Sequence, residues 1–126
     1  MQKISLKYLY TQPDSAFYFA QLRLDFAKEK GQKKHMASAL NTQGFSFDAP
    51  LKSIEYHTKS LKILEEIGDK NVIPLALNNI GGMYGKQGNY EKANDCFTRS
   101  LNTYKEIGDK NGIANSLNNI GGNYNQ

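Results

Sequence analysis

Cysteine is nearly absent from this chain. Cys96 is the only one among 126 residues, so no intrachain disulfide can form and a reducing compartment fits. Asn-x-Ser/Thr acceptors are missing altogether. Long apolar runs are missing too. The N-terminal Met-Gln-Lys-Ile-Ser-Leu-Lys-Tyr-Leu-Tyr has a polar residue at every second or third position, which excludes a signal-peptide core there. No stretch approaches the roughly 20 apolar residues of a membrane span. The expectation is a soluble, cytoplasmic chain without membrane contact.

Charge of one sign is not concentrated either. Sixteen Lys and Arg against twelve Asp and Glu leave a net charge of +4, but the two signs interleave along the chain. A nucleic-acid face clusters its cations, so no nucleic-acid partner is expected. The one basic group, Lys28, Lys30, Lys33, Lys34 and His35, surrounds an interhelix turn and reads as a solvated loop that satisfies a helix C-terminus.

Chemistry-bearing constellations are equally scarce. His35 and His57 lie far apart, and neither has a second His or a Cys at ligand spacing, so no metal and no cofactor are expected. Cys96 has no cationic cluster at a helix N-terminus to make it a thiolate, which leaves it a small apolar filler. Glu65, Glu66, Asp95 and Glu106 fall on polar helix faces without an apolar pocket to separate their roles. Gly81-Gly82-Met83-Tyr84-Gly85-Lys86-Gln87 imitates a phosphate loop, but its spacing is one residue short, Gln87 stands in place of Ser/Thr, and no strand precedes it. These residues give no support to an enzyme.

What is present is repetition. Glu-Ile-Gly-Asp-Lys-Asn at 66–71 returns at 106–111, and Leu-Asn-Asn-Ile-Gly-Gly at 77–82 returns at 117–122, both at a shift of 40. A weaker copy, Ala39 through Phe47, aligns on Ala76 through Tyr84 at a shift of 37, and Tyr10 to Pro13 aligns on Phe47 to Pro50 at the same shift. A period of this size means stacked supersecondary units.

Inside each period the apolar residues keep helical spacing. Ile73, Leu77, Ile80 and Tyr84 step by 4, 3 and 4, and Ile113, Leu117, Ile120 and Tyr124 repeat those steps. Met36, Leu40 and Phe47 hold the same frame. These mark the A helices. Tyr90, Ala93, Phe97, Leu101 and Tyr104 mark a B helix, Ile54, Leu61, Leu64 and Ile67 the one before it, and Ala16, Ala20, Leu24 and Ala27 the first. Gly68 and Gly108 suit left-handed helix ends. Asp69 and Asp109 can cap the helices that follow, and Pro13 and Pro50 suit helix starts. The spacing predicts an all-α chain of about seven helices, near 2–11, 13–29, 33–46, 49–67, 71–86, 90–107 and 111–124.

In these residues the chain resembles the tetratricopeptide repeat, W-x2-L-G-x2-Y followed by A-x3-F. Leu77 stands for the Trp, Ile80-Gly81 for Leu-Gly, and Tyr84 for the Tyr. Ala93 and Phe97 match the second motif, and Ser100 takes the later small position. The closing Pro is absent and the B helix runs on, giving a period of 40 rather than 34. This longer form is similar to repeats of spindle-orientation adaptors, of peptide-sensing bacterial regulators, and of N-terminal arrays on bacterial histidine kinases and nucleotide cyclases. In the second copy Ser53 and His57 occupy the Ala and Phe slots, so looser packing is expected there.

The resemblance implies an α-solenoid of antiparallel helix pairs, a single array over 1–126. Its units run over 1–31, 32–70 and 71–110, with an unpaired last helix at 111–126. It further implies a concave surface lined by A helices that binds a protein or peptide. Carried onto this sequence, the groove positions are Asn41, Thr42 and Phe45; Asn78, Asn79, Gly82 and Lys86; and Asn115, Asn118, Asn119 and Gly122. Members that clamp a C-terminal carboxylate place Lys or Arg where Asn41, Asn115 and Asn119 stand here, so a carboxylate clamp is not expected. Amides donate and accept, which suits either the backbone of an extended peptide or a structural ladder between neighbouring A helices.

Gly81 is expected to let its B helix approach closely, while Gly82 leaves room on the groove wall. On the last helix Ile113, Leu117, Ile120 and Tyr124 lack a B helix to cover them. Self-association as a homodimer through that face is the corresponding expectation. The function implied is a regulatory or sensor module of a bacterial signalling protein that binds a peptide or partner in its groove. The alternative is a structural spacer or dimerisation element for a histidine kinase or nucleotide cyclase domain outside this chain.

Overall fold

The computed structural model describes residues 15–124. Over that span the chain forms six α-helices: α1 (Ser15–Lys30), α2 (Lys33–Phe45), α3 (Pro50–Ile67), α4 (Ile73–Lys86), α5 (Tyr90–Ile107) and α6 (Lys110–Tyr124). The helix expected at 2–11, the start at Pro13 and the side chain of Tyr124 lie outside the described residues. No strand occurs among the described residues. Extensive contacts join each helix to its neighbours in the chain, through turns of two to five residues. That is the stacking of an α-solenoid, with α2, α4 and α6 as A helices and α1, α3 and α5 as B helices.

The helix ends follow local chemistry. Gly68 and Gly108 take φ of 68° and 71°, and the next N–H in each case reaches back, Asp69 to the Leu64 carbonyl and Asp109 to the Tyr104 carbonyl. Pro50 opens α3, and Asn89 caps α5 by accepting from the Lys92 N–H at 3.2 Å. The two Gly-Asp-Lys-Asn turns then diverge. Asp109 accepts from the Gly112 N–H at 3.0 Å, so α6 begins at once, at Lys110. After Asp69 the chain makes another turn, and α4 begins only at Ile73 without a side-chain cap. Pro74 is the reason: in a helix begun at Lys70 its ring would meet the Lys70 carbonyl and it would have no N–H to donate.

Among the described residues, apolar clusters link successive helices. Ala37, Ile54, Leu61, Leu64, Ala76, Leu77 and Ile80 knit α2, α3 and α4 together, and Leu24, Ala39 and Leu40 join α1 to α2. In α1 Ala20, Leu24 and Ala27 are buried as the spacing predicts, whereas Ala16 is exposed. Phe47 lies beyond the end of α2, where its ring stacks on Tyr56 at 5.3 Å and meets Phe17 edge-on at 5.6 Å. Small polar contacts repeat with the units. Ser60 donates to the Ala37 carbonyl at 2.7 Å, and Ser100, one period later, to the Pro74 carbonyl at 3.3 Å. Lys33 pairs with Glu66 and Lys70 with Glu106, exposed pairs worth little individually.

The decisive contacts are rings seated on glycines. A Cβ at Gly81 would stand 2.7 Å from Cε1 of Phe97, and one at Gly44 would stand 2.7 Å from the His57 ring. Gly112 meets the Tyr104 ring in the same manner. Gly121, the counterpart of Gly81 one period on, has nothing within 4 Å of its would-be Cβ. Looser packing in the second unit is not what the structure has: Ser53 and His57 are both 0% exposed. The imidazole is compact enough to lie on Gly44 as Phe97 lies on Gly81.

The two glycines separate packing from propensity. Gly81→Ala should destabilise the chain by about 1–3 kcal/mol through overpacking against Phe97. Gly121→Ala should stabilise it by up to about 1 kcal/mol, because Ala is the better helix former. Thermal unfolding followed by circular dichroism reads both signs.

Candidate functional site

On each A helix the side chains away from the paired B helix fall at i, i+3, i+4 and i+7, one face of the helix. For α4 these are Leu75, Asn78, Asn79 and Gly82, followed a turn later by Lys86. Leu75 is 52% exposed, and Gly82 and Lys86 are exposed. On α2 the corresponding residues are Ser38, Asn41, Thr42 and Phe45, the last with 60% exposure for an aromatic ring. On α6 Asn115, Asn118, Asn119 and Gly122 are all exposed. A side chain built at Gly82 or Gly122 would meet nothing within 4 Å. The glycine-rich stretch from Gly81 lies within α4 and forms no loop.

The amides do not behave alike. Asn79 donates from Nδ2 to Asn41 Oδ1 at 3.2 Å, a rung between α4 and α2. Asn41 Oδ1 also faces His57 Nδ1 at 2.9 Å, and the distance fits donation from a neutral ring protonated at Nδ1. One period later the pattern breaks. Asn78 is the counterpart of Asn41, but Phe97 replaces His57 and offers no donor. Its Oδ1 is buried without a hydrogen-bond partner. Asn119, the counterpart of Asn79, is exposed and makes no matching rung. The ladder thus exists where a histidine anchors it, while Asn115, Asn118 and Asn119 remain at the surface.

Between α2 and α4 the face opens into a pocket of about 240 Å³. Ser38, Asn41 and Lys34 of α2 line one side, Val72, Leu75 and Ala76 the other, with Ser60 and Leu64 of α3 and Asp69 completing the wall. Of these only Asn41 is among the groove positions expected from the sequence. Ser38 and Leu75 share one position of the repeat frame, so that frame could have found them. The opening itself depends on how Leu64 and Val72 pack, which no spacing reveals. Lys34 and Asp69 face each other across the rim at 3.8 Å. The expected self-association residues are split: Leu117 is 53% exposed and Ile113 and Ile120 are half-buried.

Among the described residues no group of three His, Cys, Asp or Glu side chains could hold a metal ion. Burial raises the Cys96 thiol above its ordinary value, the opposite of activation. No helix among the described residues is long and apolar enough to cross a membrane.

Burial lowers the His57 pKa below its ordinary value. Protons therefore bind the unfolded chain more readily than the folded one, and stability must rise with pH across the interval between the two pKa values. The contribution is complete above about pH 6.5 and is lost as pH falls below it. The melting temperature should drop on going from pH 7.5 to 5.5. His57→Phe, which copies the next unit, should flatten that dependence in thermal melts.

A family model, the tetratricopeptide repeat, matches residues 35–106 and again 72–126. No curated protein matches the chain. Paired helices, glycines under B-helix rings and an open A-helix face agree with that match, and the chain belongs to the tetratricopeptide repeat family.

Proposed function

We propose that this chain is a protein-interaction module whose A-helix face takes an extended segment of a partner polypeptide. Tetratricopeptide repeats generally mediate binding between proteins, along the surface their A helices line. The observation that carries the reading here is the composition of that face. Phe45 and Leu75 are exposed apolar anchors, amides flank them, and Gly82 leaves the wall open. Aliphatic and aromatic contacts supply affinity, while amides supply both halves of a backbone hydrogen bond.

The finer reading is a regulatory or sensor segment of a cytoplasmic bacterial signalling protein. It is supported by the long period, in which the B helix runs on to Ile107 and Gly108 where shorter repeats close with Pro. The units proposed for it are 32–70 and 71–110, preceded by a first pair over 1–31 and followed by the helix from 111.

The test is a blocked groove. Gly82→Arg adds a long cation where nothing lies within 4 Å and improves helix propensity, so the fold should persist. Dodecapeptides selected from a random display library on the unaltered chain should bind Gly82→Arg at least tenfold more weakly by fluorescence anisotropy. Unchanged affinity would exclude the groove.

A second reading, a spacer or dimerisation element for a kinase or cyclase domain, is favoured by one comparison within the chain. Leu77 is 1% exposed and Leu117, at the same place one period later, is 53% exposed. Light scattering of the chain alone should show a dimer that Leu117→Asp converts to a monomer. A wild-type monomer at high concentration would remove this reading.

A further inference from the structure

The pocket between α2, α3 and α4 has a counterpart one period later that the chain itself fills. The shift of 40 carries Ser60, Leu64, Asp69, Val72 and Ala76 onto Ser100, Tyr104, Asp109, Gly112 and Ser116. In that later unit the Tyr104 ring is buried directly on Gly112, and Asp109 stands at the same wall. In the earlier unit Leu64 is too short to reach so far, and the Val72 side chain stands where glycine admits the ring. A space of about 240 Å³ stays open toward the groove. A cavity of roughly 150 Å³ already accepts a benzene molecule, so a single phenol ring fits this one. Drug-sized ligands occupy roughly 300–1,000 Å³, so it is sized for one side chain.

We propose that this pocket receives a tyrosine side chain from the bound partner segment, its ring against Leu64, Val72 and Ala76 and its hydroxyl donating to the Asp69 carboxylate. The inference rests on the groove reading above and names the residue type that the groove selects. Three features favour tyrosine. The wall is mainly apolar, which a ring satisfies. Asp69 is mostly buried, and its ion-pair partner Lys34 stands 3.8 Å away with its own side chain 75% exposed. An acceptor in that position has capacity for an O–H donor. Asp109, its counterpart, instead spends an oxygen on the Gly112 N–H. The pocket also opens beside Leu75 and Asn41, so a ring entering it comes from a chain that lies along the A helices.

The free side chain is the probe. Titration of the isotopically labelled chain with p-cresol should give saturable amide shifts centred on Val72, Leu75 and Ala76, and toluene should bind several-fold more weakly. Leu64→Tyr with Val72→Gly, which rebuilds the filled arrangement of the next unit, should reduce p-cresol affinity at least tenfold. Ser38→Trp, a plug at an exposed mouth position, should do the same without touching the core. Scattered or non-saturable shifts, or shifts that survive both fillings, would overturn the pocket. Equal affinity for toluene would overturn the contact with Asp69. If p-cresol fails while Gly82→Arg still abolishes peptide binding, the groove reading stands and the tyrosine pocket falls. If Gly82→Arg has no effect, the groove reading itself falls.

Discussion

A flat ring from a B helix lying on the bare backbone of an A helix is the contact on which this array depends. Phe97 on Gly81 and His57 on Gly44 repeat it within pairs, and Tyr104 on Gly112 repeats it between one B helix and the next A helix. Each glycine sacrifices about 1 kcal/mol of helix propensity relative to Ala. In return the helices approach closely enough to bury a large side chain, worth about 1.5–3 kcal/mol for a residue such as Phe. The contact also fixes rotation. Once Gly81 must face Phe97, the residues one and three places away, Gly82 and Asn78, are turned toward the A-helix surface. The binding face is therefore a by-product of the packing rule.

Variation in that ring changes the polar layer above it. His57 brings a nitrogen to the place where Phe97 has only carbon, and Asn41 answers it across 2.9 Å. Asn79 then joins the same acceptor from the next A helix. Where Phe97 stands, the equivalent acceptor on Asn78 is left buried and unpaired, which carries a desolvation penalty of roughly 1–3 kcal/mol. One substitution in the core thus decides whether the amides above form a structural rung or remain available. The same logic governs the pocket. Leu64 and Val72 leave open what Tyr104 and Gly112 close, so two units built from one pattern present different surfaces.

Much of the array was legible in the sequence because its information is local. The steps of 4, 3 and 4 gave the A helices, and glycine followed by aspartate gave the ends of α3 and α5. Both follow from backbone geometry that neighbouring residues settle among themselves. The start of α4 was harder. Asp69 and Asp109 sit in identical four-residue turns, and Pro74, five residues on, overrides the cap in one of them. The burial of His57 was missed for a different reason. Polarity suggested a loose edge, but shape decided: an imidazole on a glycine is as well covered as a phenyl ring.

The sequence by itself determined the class of the fold, the helical frame its A helices share and the close approach at Gly81. These follow from periodicity and from the few residues that a tight helix contact or a left-handed helix end will admit. Only the tertiary structure decided which amides bond to one another and which stay exposed. It alone showed that the cleft between α2 and α4 stays open. Those outcomes depend on side chains 16 and 38 residues apart in the chain meeting across helices, and a difference of one ring or one methyl branch at the meeting point reverses them. Pattern fixes where such groups meet; packing fixes what they leave between them.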